Sequence, residues 1–165
     1  MRFSLIDRII ELDPGQRIKA IKTLSLAEEY LADHFPNFPV MPGVLMLESL
    51  TQASAWLVRA TENFAHSIVV LKQVSNVKYA QFVEPGQMLT VTAELQGLAD
   101  GEAKLKASGT VDGRLTVSAR LILARYNLAD TAPQYAATDE ATRRDLRDQL
   151  ALLYHPQETS ETPTA

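Results

Sequence analysis

DHFPNFPVMPGVLMLESLTQASAW, residues 33–56, decides how the rest of the chain is arranged. Pro36, Pro39 and Pro42 keep its first part out of regular helix, because proline lacks an N–H and fixes its own φ. Pro42-Gly43 then opens a helix from about Val44 to Thr61, proline being tolerated in a first helical turn. From Val44 to Val58 ten of fifteen residues are apolar and occur on every side, so this helix is expected to be surrounded by protein. Glu48 is the one ionisable group in that run, and His34 stands ahead of the prolines.

What surrounds the helix is legible downstream. In MLTVTAELQ, Leu89, Val91, Ala93 and Leu95 alternate with polar residues. In AKLKASGTV, Leu105, Ala107 and Val111 do the same, and in RLTVSARLIL, Leu115, Val117, Ala119, Leu121 and Leu123 share one face. Period two means strands with one covered face. Asp100-Gly101 and Asp112-Gly113 are hairpin turns by composition, and Asp13-Pro14-Gly15 turns between two earlier strands in IIELDPGQRIKAIKTLS. LAEEYLADHF is a short helix or a loop. The pattern predicts an α+β domain, an antiparallel sheet curled around one long buried helix, over residues 1–126. Residues 127–137 read as a linker. Residues 138–154, with leucines at 146, 150 and 153, read as a C-terminal amphipathic helix, and 155–165 as a disordered tail.

Composition narrows the partners. With 46% apolar and 22% charged residues the chain is of globular type, and its length suits one domain with a sizeable core. A net charge of −4 without a basic block argues against a nucleic-acid partner. The absence of cysteine fits a reducing compartment, and no apolar stretch is long enough for a signal peptide or a membrane span. A cytoplasmic location is expected. No two of His34, His66 and His155 lie at ligand spacing, so neither a metal nor another cofactor is expected.

Three groups in the opening stretch carry possible chemistry. Glu48, on a helix without water, is either an acid near neutrality or a carboxylate turned to a solvent gap or a cation. His34 is either a proton-transfer group or a packed imidazole. Gly43 opens the helix, where unpaired N–H groups carry partial positive charge, and lacks a side chain to keep a ligand oxygen away. Together these supply a base, an acid and a carbonyl-polarising helix end, as proton abstraction beside a carbonyl with loss of a hydroxyl requires. Gln52, one turn past Glu48, either holds that carboxyl or is a satisfied buried amide. Trp56 reads as a core or tunnel wall, and Tyr30, Tyr79 and Lys78 as structural.

The run from His34 to Glu48, followed by Leu50 and Gln52-Ala53, resembles the signature of 3-hydroxyacyl-[acyl-carrier-protein] dehydratases of the FabZ type, approximately HFPGxPxMPGVLxxEALAQ. The likeness spans about residues 3–125, including VKYAQFVEPGQMLTVTAEL and ASGTVDGRLTVSARLIL. It implies a hot-dog fold, with the helix as sausage and the sheet as bun. It implies that His34 takes the α-proton of a 3-hydroxyacyl thioester, that Glu48 protonates the departing hydroxyl, and that the Gly43 N–H polarises the carbonyl. Gln52 and Val44 would contact substrate. The substrate would be carried as a phosphopantetheine thioester on an acyl carrier protein. The resemblance also implies a homodimer pairing His34 of one chain with Glu48 of the other, usually assembled into trimers of dimers. The sequence alone leaves open whether the pair forms within or between chains.

The chain departs from the family pattern in places. Asp33 and Asn37 stand where glycines are usual, and Asn37 is a residue that tolerates left-handed backbone. The basic run usual before PVxPGD reads Tyr79-Ala80-Gln81-Phe82, leaving Lys72, Lys78 and Arg59 as candidates for an acidic carrier's contact. Two other readings stay open: a hot-dog thioesterase, and an acyl-chain or carrier-binding subunit without turnover.

Overall fold

The computed structural model describes residues 3–156. Its elements are β1 (Arg8–Asp13), β2 (Arg17–Thr23), α1 (Gly43–Thr61), β3 (Ile68–Tyr79), β4 (Met88–Ala99), β5 (Glu102–Val111), β6 (Arg114–Tyr126) and α2 (Ala136–Leu153). The strands form one antiparallel sheet in the order β1-β2-β4-β5-β6-β3. α1 packs against β2, β3, β4, β5 and β6, so the sheet curls around it as a hot-dog fold does.

The local chemistry explains the turns. Asp100 and Gly101 both take positive φ, 49° and 72°, and Asp112 and Gly113 take 49° and 76°. That conformation matches the twist of the flanking strands in two-residue hairpins. Gly15 has φ +83°, and Gln16 N–H donates to Asp13 O at 3.0 Å, closing the first hairpin.

The core follows the alternation. Leu89, Val91 and Ala93 of β4, Leu105 and Ala107 of β5, and Val117, Leu121 and Leu123 of β6 are buried against Leu50, Ala53, Leu57 and Val58 of α1. Each large aliphatic side chain removed from water contributes roughly 1.5–3 kcal/mol before entropy is counted. Gly109 sits where the layers come closest: a Cβ there would lie 2.9 Å from both Leu89 Cδ1 and Val117 Cγ1.

Three features differ from the pattern-based expectation. Leu115 does not face the core but is 38% exposed. Gly109 pairs with Val117 while Thr110 pairs with Leu115, so Thr116 is an inserted bulge residue and turns Leu115 outward. The bulge is used: Thr116 is buried, and its carbonyl accepts the Ala80 N–H at 2.8 Å. β3 carries no period-two signal, because it forms a sheet edge with two register shifts. Finally, α1 is not enclosed all round by its own chain, since Val44 is 69% exposed and Glu48 and Gln52 are half-buried.

Beyond the sheet, the segment read as a linker is ordered. It contains two short 3-10 turns, Leu128–Asp130 and Pro133–Tyr135, and Asn127 with Asp130 forms a capping box. The second turn runs directly into α2, which therefore begins at Ala136 instead of 138. Leu146, Leu150, Leu153 and Tyr154 pack against the core. Asp139, 1% exposed, accepts hydrogen bonds from Leu128 N–H (3.0 Å), Ala129 N–H (2.9 Å) and the Ser67 hydroxyl. Burial alone would raise its pKa. The Ser67 hydroxyl, the two backbone N–H groups and nearby Arg143 outweigh that and hold it below the usual carboxylate range. Residues 157–165 of the expected disordered tail lie outside the described residues.

Candidate active site

His34 is positioned by the proline-rich loop before α1. Its N–H donates to Tyr30 O at 3.1 Å, and the Val40 N–H donates to His34 O at 3.0 Å. Phe35 and Phe38 exchange both backbone hydrogen bonds, closing the turn at Pro36-Asn37 without Asn37 entering the left-handed region. The His34-Phe35 peptide bond is cis. His34 Nδ1 lies 3.0 Å from Val40 O. A carbonyl only accepts, so Nδ1 is the donor, and a neutral ring keeps its lone pair on Nε2. Asp33 is exposed and is not the group that orients this ring.

A cavity of about 440 Å³ joins His34 to Gly43. Met41, Met46, Tyr79 and Phe82 also line it. Gly43 is the first residue of α1, and Pro42 gives no side-chain cap, so the first-turn N–H groups of Gly43 and Val44 have no helical acceptor. Tyr79 explains why the position is glycine: a Cβ at 43 would meet its ring at 3.1 Å. Tyr79, read as structural from the sequence, also lines this cavity. No local motif marks it, since its role comes from β3 passing the start of α1.

Glu48 belongs to a second cavity, of about 540 Å³. Gln52 Nε2 donates to Glu48 Oε1 at 2.9 Å, and Gln52 Oε1 accepts the Leu5 N–H at 2.8 Å. The amide is therefore oriented from outside, and it engages Oε1 of Glu48, not Oε2. Thr51, Ala55, Trp56 and Arg59 continue the same wall at helical spacing.

The structure thus brings His34 together with Gly43, and Glu48 together with Gln52. The two cavities share no lining residue, so within one chain His34 and Glu48 do not line a common cavity. Val44 lies one turn before Glu48 on the open side of α1 and lines neither cavity. Of the cations considered for a carrier contact, Arg59 is inside the Glu48 cavity and Lys72 pairs with Glu102, while Lys78 remains exposed beside Tyr79.

A family model described as a FabA-like domain matches residues 1–124. The chain belongs to the FabA-like family. Within it, this FabA-like chain is 42% identical over 109 residues to 3-hydroxyacyl-[acyl-carrier-protein] dehydratase FabZ of Wolbachia pipientis wMel, covering 66% of this chain and 76% of that protein. It is 36% identical over 132 residues to the FabZ dehydratase of Janthinobacterium sp. (strain Marseille), covering 78% and 85%. Among solved structures, the dehydratase heterocomplex ApeI:P from Xenorhabdus doucetiae superposes with a TM-score of 0.64 at 17% identity, over 81% of this chain and 90% of that one. The E. coli PaaI protein superposes at 0.55 and 13% identity, over 71% and 77%. At such identities these two speak for the hot-dog fold of the FabA-like domain alone. α2 lies beyond the FabA-like match. Among the described residues no helix is long and apolar enough to cross a membrane.

Proposed function

We propose that this FabA-like protein is a hydro-lyase that dehydrates 3-hydroxyacyl thioesters on acyl carrier protein to trans-2-enoyl thioesters, in fatty-acid or related acyl biosynthesis. The observation that carries the reading is the fixing of two side chains by hydrogen bonds. Val40 O leaves His34 Nε2 as the free lone pair, and Gln52 leaves Glu48 Oε2 as the free oxygen.

The reaction follows from those positions. The thioester carbonyl oxygen takes a hydrogen bond from the Gly43 N–H, which favours the charge that develops there. His34 Nε2 removes the α-proton. Glu48 delivers its proton to the 3-hydroxyl, which departs as water, and the new double bond forms between the α and β carbons. His34 then holds one proton more and Glu48 one fewer. A proton passed from imidazolium to carboxylate, through solvent or the product water, resets the pair.

One chain presents these groups in separate cavities, which supports a site completed by a second chain. β3 supports this: it is a sheet edge, and Val70 and Val77 lie exposed along it. Apolar side chains beside unpaired edge N–H and C=O groups invite another copy. In such a homodimer His34 and Gly43 of one protomer meet Glu48, Gln52 and Val44 of its partner. Lys78, exposed and next to Tyr79 in β3, would be the cation offered to an acidic carrier. Assembly into trimers of dimers would be built from this unit.

The direct test is hydration of a short enoyl thioester, offered on carrier protein and on coenzyme A. His34→Ala and Glu48→Gln should each reduce turnover at least ~100-fold. Wild-type turnover in both variants would refute the assignment.

A further inference from the structure

The Glu48 cavity is closed partly by residues that the FabA-like match does not include. That match ends at residue 124, while Leu146 and Gln149 of α2 form part of the cavity wall. The cavity follows α1 from Glu48 to Arg59, roughly 16 Å at 1.5 Å per residue. α2 sits at the far end of that path. Its Arg147 donates to Asn63 O at 3.0 Å and lies 5.1 Å over the Phe64 ring, both just beyond the end of α1. The Asp139 hydrogen bonds and the packed leucines hold α2 in place, so this wall is part of the fold.

The far end differs chemically from the middle. The Arg59 guanidinium lies 5.2 Å over Trp56 and donates to Val69 O at 3.4 Å, while its Nε is buried without a partner. Burial lowers its pKa to about 10, so it stays charged at neutral pH. Among the described residues it pairs with no carboxylate.

We infer that α2 closes the acyl end of this cavity and sets the longest acyl chain the protein accepts, with Leu146 and Gln149 as specificity-determining side chains. The inference rests on the dehydratase reading for what enters the cavity. Each methylene moved from water against the Ala55, Trp56, Val69 and Leu71 part of this mixed wall improves binding by up to about four-fold. A methylene that reaches Arg59 and Gln149 displaces water from a cation and an amide without replacing their hydrogen bonds, and the gain stops there.

The test uses saturated acyl-pantetheine thioesters of increasing length, which bind but cannot react, with affinity measured by calorimetry. Affinity in the wild type should rise with each methylene, by up to about four-fold, and then break. Leu146→Trp should move the break to shorter chains and Leu146→Ala to longer ones, with melting curves establishing that both variants are folded. A break at the same length in all three proteins, or no break at all, overturns the inference. Failure of the dehydratase reading looks different: the wild type would bind the series yet hydrate no enoyl thioester.

Discussion

Gln52 holds Glu48 from one helical turn away. The Gln52 amide gives its N–H to Glu48 Oε1 at 2.9 Å while its oxygen accepts the Leu5 N–H at 2.8 Å, and flipping it would set N–H against N–H and oxygen against oxygen. The N-terminal segment thereby fixes the carboxyl through a single side chain, and on the dehydratase reading Gln52 is a positioning residue.

Replacing Gln52 by Ala leaves Glu48 in place but free to rotate. Turnover should fall roughly 10- to 100-fold, the scale of a misplaced reacting group, with a smaller change in KM. Steady-state kinetics on an enoyl thioester would check this, and a kcat within two-fold of wild type, about 0.4 kcal/mol, would remove Gln52 from the site.

Gly43→Ala pushes a methyl against the Tyr79 ring, since the Cβ position lies 3.1 Å from it. The ring is half exposed and can turn aside, so folding should survive while the cavity wall and the Gly43 N–H shift. A roughly 10- to 100-fold loss of kcat/KM is expected, with partial recovery when Tyr79→Ala is added. Unchanged kinetics in Gly43→Ala would mean that the close contact has no bearing on the site.

Asp139 makes α2 docking sensitive to acid. Its carboxyl in the folded chain is held below the usual range, so the unfolded chain binds the proton more readily. The stabilisation is therefore complete above the unfolded pKa of about 3.9 and is lost as pH falls through the lower folded value. The Tm difference between wild type and Asp139→Asn should be constant from neutrality to about pH 5 and shrink below about pH 4. A difference that grew in acid would contradict the hydrogen-bonded carboxylate.

Much of the fold was legible because period-two burial leaves its mark on β4, β5 and β6, and because Asp-Gly pairs announce their turns. The Thr116 bulge was not, since one inserted residue flips a side chain without altering composition. β3 was hidden for another reason: Asn76 at φ 53° and two register shifts break its alternation. In the site, residue types at the spacing of His34, Gly43 and Glu48 were readable, and Gln52 followed from helical geometry. Tyr79, Leu146 and Gln149 were not, because only tertiary packing brings β3 and α2 to those cavities. The same limit applied to Arg59 and Lys72, whose charges looked free until one was found in a cavity and the other paired with Glu102.

The central claim, that two chains complete one site, is tested most directly by mixing two inactive variants. His34→Ala chains keep Glu48, and Glu48→Gln chains keep His34. In a mixed dimer one of the two interchain sites regains both groups, so unfolding and refolding the variants together should restore hydration of the enoyl thioester. If mixed dimers form, as mass spectrometry would establish, and activity stays at the level of the separate variants, the pairing of His34 with a partner's Glu48 is wrong.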